Sequence, residues 1–166
     1  MVNTPVIDTH HHFIYPQGGP YPWIVGSKTV LAGRAFLPEV LRPDLVAAGV
    51  DGTIVVQTLT GLDETRAFLA LSEETDFLRG VIGWVDLMDP AVEEVIVSLR
   101  EGKGGNSLVG VRHKLHDEPD ADWILRPEVR RGLAVIGNAG VVFDFLVRPR
   151  ELEACVRTAH DFPEIT

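Results

Sequence analysis

The spacing of apolar residues along the chain changes period again and again. Short runs rich in β-branched residues, as strands show, alternate with stretches whose apolar residues recur every three or four positions, as amphipathic helices show. "TPVIDTH" opens the chain as a strand, and a loop rich in Pro and Gly follows, "YPQGGPYPWIVGSK". A helical stretch runs from Leu37 to Ala48, interrupted by Pro43 and stopped by Gly49. "GTIVVQT" is the second strand, with a helix from Asp63 to Thr75 behind it. "GVIGWVDL" is the third; its helix opens with Asp89 as N-cap and Pro90 in the first turn, and sets Val92, Ile96 and Leu99 on one face. "LVGVRHKL" is the fourth strand, and a helix from Arg126 to Ala139 carries Val129, Leu133 and Ile136 before Gly140 stops it. "GVVFDFLV" is the fifth, followed by a helix from Pro149 to His160.

Five strands, each followed by a helix, imply βαβ units of one hand and a parallel sheet, an α/β protein. Two architectures compete: an open doubly wound sheet, and a (β/α)8 TIM-type barrel of which this chain supplies the first five βα units. No G-x-G-x-x-G turn follows the first strand, so a dinucleotide fold has no support; D-x-H-x-H stands there instead. Residues 1–166 read as a single domain, the N-terminal part of such a barrel.

In a barrel, alternate strand residues face the interior, and the helix-facing set is apolar. On that test Ile7, Ile54, Val56, Val81, Val85, Val109, Val111, Phe143 and Phe145 face the helices. The inward set is then Asp8, His10 and His12 from the first strand and Thr53, Val55 and Gln57 from the second. The third supplies Ile82, Trp84 and Asp86, the fourth Gly110 and Arg112, and the fifth Val142 and Asp144. The polar members His10, His12, Gln57, Trp84, Asp86, Arg112 and Asp144 fall toward the C-terminal ends of their strands, where barrel enzymes place their chemistry.

Composition narrows the function. The net charge is −9, from 15 Lys and Arg against 24 Asp and Glu, and no basic run occurs. A nucleic-acid or anionic-membrane surface is therefore not expected. No apolar run approaches the ~20 residues of a bilayer span, and the N-terminus has no secretory pattern. A cytoplasmic setting is the expectation. Cys155 is the single cysteine and reads as a small buried apolar residue in a helix, not a nucleophile.

His10 and His12 share a face at i, i+2, a workable two-nitrogen grip on one divalent ion, zinc foremost; a satisfied core pair is the plainer alternative. His11 points the other way and is structural. Asp8 lies deeper and is expected to hold a backbone or histidine N–H. Arg112 offers a planar double donor for a carboxylate or carbonyl oxygen, compatible with a pair to Asp86 or Asp144. His113 faces the helices by parity, unless the strand ends at Arg112 and lets it turn inward. Trp84 and Trp23 either wall a pocket or pack in the core. "HDEPDADW", His116 to Trp123, is either a flap over the site or a solvated connection.

Several blocks together resemble a known family: "VIDTHHHF", "GVDGTIVVQT", "GVIGWVDLMDP", "LVGVRHKLHDEPDADWILRPEVRRGL" and "FDFLVRPRELEACV". They are similar, in order and over essentially the whole chain, to the amidohydrolase-related sugar-lactonase group, which includes L-fuconolactonase-like and L-rhamnonolactonase-like hydrolases. The resemblance implies a distorted β/α barrel that hydrolyses the lactone ring of a sugar acid. Related members open other cyclic esters or decarboxylate aromatic acids. His10 and His12 match the group's H-x-H pair. Arg112 and His113 match its R-H pair, which implies substrate contact, with Gln57 and Trp84 beside them. The group continues into a sixth strand bearing a histidine and an eighth bearing the acid/base aspartate. Neither is in this sequence, whose carboxylates nearest the rim are Asp86 and Asp144. Some members of this branch work without a divalent metal.

The expected function is hydrolysis of a sugar lactone or related cyclic ester, with the 166-residue chain inactive alone and inclined to associate with itself through its sheet edges. The rival reading, of a different class, is a non-catalytic binding or assembly module.

Overall fold

A computed structural model describes residues 4–15, 21 and 34–165. Most of the Pro/Gly-rich loop, with Trp23, lies outside the described residues. Five βα units follow one another: β1 (Ile7–His11), α1 (Pro38–Ala48), β2 (Gly52–Val56), α2 (Leu62–Ser72), β3 (Leu78–Gly83), α3 (Val92–Glu101), β4 (Leu108–His113), α4 (Pro127–Asn138), β5 (Val142–Phe145) and α5 (Leu152–Asp161). The strands form one sheet in the order β1-β2-β3-β4-β5, and every pairing is parallel. Sequential order with crossovers of one hand puts all the helices on one face, giving an α/β half-barrel.

The core lies between that face and the helices. Val55, Val81, Val111 and Phe143, one from each of β2 to β5, are no more than 2% exposed. They share a cluster with Leu45 of α1, Phe68 of α2, Ile96 of α3, Leu133 of α4 and Ala154 of α5. Each large apolar side chain so buried is worth roughly 1.5–3 kcal/mol over its exposed state. On α3 the buried face is Val92, Ile96 and Leu99, and on α4 it includes Val129, Leu133 and Ile136, as their spacing predicts.

Pro43 does not interrupt α1, which runs unbroken from Pro38. A proline here removes one N–H, whose acceptor would be the carbonyl of Glu39; Glu39 is exposed, so water can take that carbonyl. Gly49 ends α1 in the left-handed region at φ 68°, which a residue with a Cβ adopts at a cost. Asp89 caps a turn ahead of α3, accepting the N–H of Ala91 at 2.8 Å, and the helix itself starts at Val92.

The alternation test holds for β3 and β5 but needs correction in the other strands. In β2, Val55 packs in the helix-side core, and Thr53 takes its place beside His11, Nε2 to Oγ1 at 2.9 Å. Those two were expected inside the barrel. In β1 the register passes from Asp8↔Thr53 to His11↔Val55, three residues against two, so an irregularity reverses the parity of Ile7 and Asp8 relative to the histidines. In β4 a register shift next to Val109 brings its side chain to the face of Gly80 and Ile54, so it is Val111 that lies in the core.

Candidate functional site

At the C-terminal ends of β1, β2 and β4 three side chains converge. His10 and His12 lie edge to face with ring centres 5.1 Å apart. Arg112 reaches across the sheet from β4 and puts Nη1 3.3 Å from Nε2 of His10. A guanidinium only donates, so His10 Nε2 is the acceptor. Asp144 sits beside Arg112 in register on β5, Oδ2 to Nη1 3.7 Å.

What holds these groups is the backbone at the end of β2. Three successive carbonyls each take a hydrogen bond from a side chain of another segment. His12 Nδ1 donates to Val56 O at 2.9 Å, Arg112 Nη2 to Gln57 O at 2.6 Å and Lys114 Nζ to Thr58 O at 2.7 Å. A parallel strand that ends here leaves carbonyls without ladder partners, and cations and imidazoles from its neighbours satisfy them. Glu64 pins the connection from β2 to α2 by accepting the N–H groups of Thr58 and Leu59 at 2.7 and 2.8 Å, and the Thr58 hydroxyl as well.

An open cavity of about 360 Å³ lies over this point, lined by His12, Gln57, Arg112, Lys114, His116 and Asp117 among others. A larger hollow, about 580 Å³, runs along α3 among Glu93, Glu94 and Glu101. It gathers nothing from the strand ends, and the smaller cavity is the one with chemistry. Gln57 is fully buried, and neither atom of its side-chain amide has a hydrogen-bond partner among the described residues. Such a group costs about 1–3 kcal/mol unless a ligand or water completes it.

Burial sets the protonation of the cluster. Desolvation lowers the pKa of His12, against the pull of the Val56 carbonyl, and the nearby Arg112 lowers it further. His11, behind the strand, is lowered to about 4, chiefly by desolvation. Desolvation also lowers Arg112, opposed by Asp144. A guanidinium starts so high that it stays charged. The site is thus a buried cation beside an imidazole, His12, that burial holds toward its neutral form.

Not every residue expected here comes to this point. Trp84 and His113 engage each other: the indole Nε1 donates to His113 Nδ1 at 3.3 Å, His113 Nε2 meets Glu118 Oε1 at 2.7 Å, and the imidazole stacks on Trp123 with centres 4.2 Å apart. Neither is among the residues lining the cavity. His113 does turn off the strand end, but toward the connection to α4. Asp86 is exposed and accepts the N–H of Met88 at 2.9 Å, serving the turn before α3. Asp8 accepts the N–H of His10 at 3.1 Å, the holding part expected of it. Residue-by-residue reading missed Lys114. It lies past the strand end, where alternation no longer says which way a side chain turns; the available signal was a second cation two residues after Arg112.

A divalent ion on His10 and His12 can be tested against this geometry. His12 suits an ion, since its Nδ1–H is spent on Val56 and Nε2 has no hydrogen-bond partner among the described residues. His10 does not, because a guanidinium already stands at its Nε2, and one cation there excludes another. Among the described residues no group of three His, Cys, Asp or Glu side chains is placed to hold a metal. The described residues therefore do not by themselves complete a site for a resident ion.

Comparison with known proteins agrees with the architecture. Residues 7–166 match the amidohydrolase family, and the chain belongs to it. It is 36% identical over 147 residues to the L-fucono-1,5-lactonase of Burkholderia multivorans, covering 88% of this chain and 48% of that protein. It is 34% identical over 160 residues to the L-fucono-1,5-lactonase of Burkholderia ambifaria, covering 96% and 53%. The chain thus spans about half the length of these curated relatives. A Burkholderia multivorans amidohydrolase solved with bound zinc superposes at a TM-score of 0.88 with 33% identity, over 97% of this chain and 55% of that one. No helix among the described residues is long and apolar enough to cross a membrane.

Proposed function

We propose that this chain carries the N-terminal part of a hydrolase that opens the lactone ring of a sugar acid. The observation that carries the reading is the convergence of His10, His12 and Arg112 at the C-terminal ends of their strands, each of the latter two anchored on a carbonyl of β2. The relatives named L-fucono-1,5-lactonase support the substrate class.

In this reading Arg112 polarises the lactone carbonyl. Its anchored, desolvated N–H groups stand ready for the negative charge that grows on the oxygen as water adds. Asp144 orients the guanidinium, His10 Nε2 accepts from its Nη1, and His12 donates its Nδ1–H to Val56 O. Gln57 has one donor and one acceptor to offer a ring hydroxyl. Asp86 has no part in it, and Trp84 and His113 act on the shape of the wall. Among the described residues the carboxylate lining the cavity is Asp117, largely exposed and turned to His116, 3.2 Å away. The base comes from outside this segment, where the family resemblance puts an aspartate.

The test is proton release after L-fucono-1,5-lactone is added to the protein. Arg112→Met should lower kcat/KM by roughly a hundredfold or more, as loss of an oxyanion donor does. Undiminished hydrolysis in that variant sinks the assignment.

A further inference from the structure

We propose that the cavity at Arg112 and Lys114 is a carboxylate site, and that its occupant is the hydroxy acid formed when a lactone ring opens; the choice of acid rests on the function proposed above.

Two cations line this cavity, and each keeps N–H donors that no carboxylate among the described residues takes up. Arg112 is 4% exposed, and its one ion pair among the described residues is the 3.7 Å approach to Asp144. Its Nε is buried without a partner. Lys114 has no carboxylate within 4.0 Å of Nζ among the described residues; the acceptor it has is the carbonyl of Thr58. The carboxylate that does line the cavity, Asp117, lies 3.2 Å from His116 and is 62% exposed.

Geometry narrows the anion. Arg112 and Lys114 hang from the adjacent carbonyls of Gln57 and Thr58, just past the end of β2, and both line the one cavity. A guanidinium and an ammonium on one wall suit the two oxygens of one carboxylate. Each retains N–H groups beyond the one spent on the backbone. Gln57, buried and unpartnered, adds a donor and an acceptor on the same wall, which suits a hydroxyl next to the carboxylate. A neutral lactone meets only part of this set. The ring-opened acid meets all of it, so the acid binds more tightly than its lactone and inhibits turnover.

The experiment is calorimetric titration of the protein with L-fuconate and with L-fucitol, its uncharged counterpart. Binding of fuconate without fucitol is the expected result. Lys114→Met should weaken fuconate by about tenfold or more, and Lys114→Arg should restore most of it. Equal binding of the two probes, or unchanged affinity in Lys114→Met, overturns the proposal. A salt titration of the unaltered protein gives a readout that needs no variant. Affinity falling with ionic strength supports the site, and affinity indifferent to salt refutes it. Lactone hydrolysis measured in parallel separates the two readings. Hydrolysis without fuconate binding removes this inference alone, whereas fuconate binding without hydrolysis, in protein that includes the segment supplying the base, keeps the site and removes the function.

Discussion

Arg112 and Asp144 stand opposite each other in register on β4 and β5, with Nη1 3.7 Å from Oδ2. The pair is uneven, for the guanidinium is 4% exposed and the carboxylate 32%. Arg112 bears most of the desolvation cost, and Asp144 relieves it from the solvent side. Asp144→Asn should therefore destabilise the fold by about 1–2 kcal/mol, less than the loss of a fully buried partner. Denaturant titration at neutral pH measures it. An unchanged midpoint would mean that the hydrogen bond to Gln57 O alone accommodates the charge.

His113 is a latch on the segment that walls the cavity. It joins Trp84 on one side and Glu118 on the other, and it stacks on Trp123. Lys114, His116 and Asp117 lie in the stretch it fixes. Arg150 holds the same stretch from outside through the carbonyls of His116, Glu118 and Pro119. His113→Ala should cost about 1–3 kcal/mol, from a lost stack and two lost hydrogen bonds. It should also change tryptophan fluorescence, because both Trp84 and Trp123 lose a neighbour. Full stability with an unaltered emission spectrum would show that the latch is ornamental.

How much of this was legible in the sequence follows from what each pattern encodes. The five βα units were readable because the apolar period switches cleanly between strand and helix. The inward set of β5 was readable because Asp144 sits between Phe143 and Phe145, leaving one possible face. In β2 the run Ile54-Val55-Val56 is apolar on both faces, as strands of a parallel sheet covered on both sides are, so parity had nothing to act on. Thr53 looked like an inward polar group, yet it serves His11 on the helix side. The irregularities in β1 and β4 shift parity by one residue and leave no compositional mark. His113 was legible as half of the R-H pair and Trp84 as a wall or core residue, but their mutual engagement depends on how two strand ends turn, which spacing does not encode.

Cys155 should be a slow thiol. It is 5% exposed, and burial, with Glu151 adding to it, raises its pKa from 9.0 to about 11. The raised value means that folding favours the protonated thiol. That contribution is fully present below about pH 9 and is lost as pH rises through 11, at most about 2–3 kcal/mol. Disulfide-reagent labelling should be slow at neutral pH in the folded protein and fast in denaturant. Cys155→Ala should flatten the alkaline fall in stability. Rapid labelling of the native protein would contradict the burial.

Zinc should not stay with this chain through dialysis. A catalytic zinc takes three protein ligands and a water, and here two imidazoles are available, one of them already facing a guanidinium. Elemental analysis should find well under one zinc per chain. His12→Ala should abolish whatever weak binding a zinc titration detects, since its Nε2 has no hydrogen-bond partner among the described residues. One tightly held equivalent would show that residues beyond His10 and His12 complete a zinc site.

The two sheet edges should govern the behaviour of the chain in isolation. Among the described residues β1 pairs with β2 alone and β5 with β4 alone. Each therefore presents a row of N–H and C=O groups without ladder partners. The edges are apolar as well: Val6 is 53% exposed, Ile7 36% and Val142 45%. A parallel sheet is normally covered on both faces, and an uncovered apolar edge is a template for pairing. The 166-residue chain on its own should therefore form oligomers or aggregates that grow with concentration, by light scattering. Val142→Lys should reduce that association, because a charge on an edge strand opposes a second strand docking there. Its side chain lies on the exposed face of β5, so the change should leave the core around Phe143 intact. A single monomeric species at every concentration, in both proteins, would mean that the edges are protected by something other than pairing.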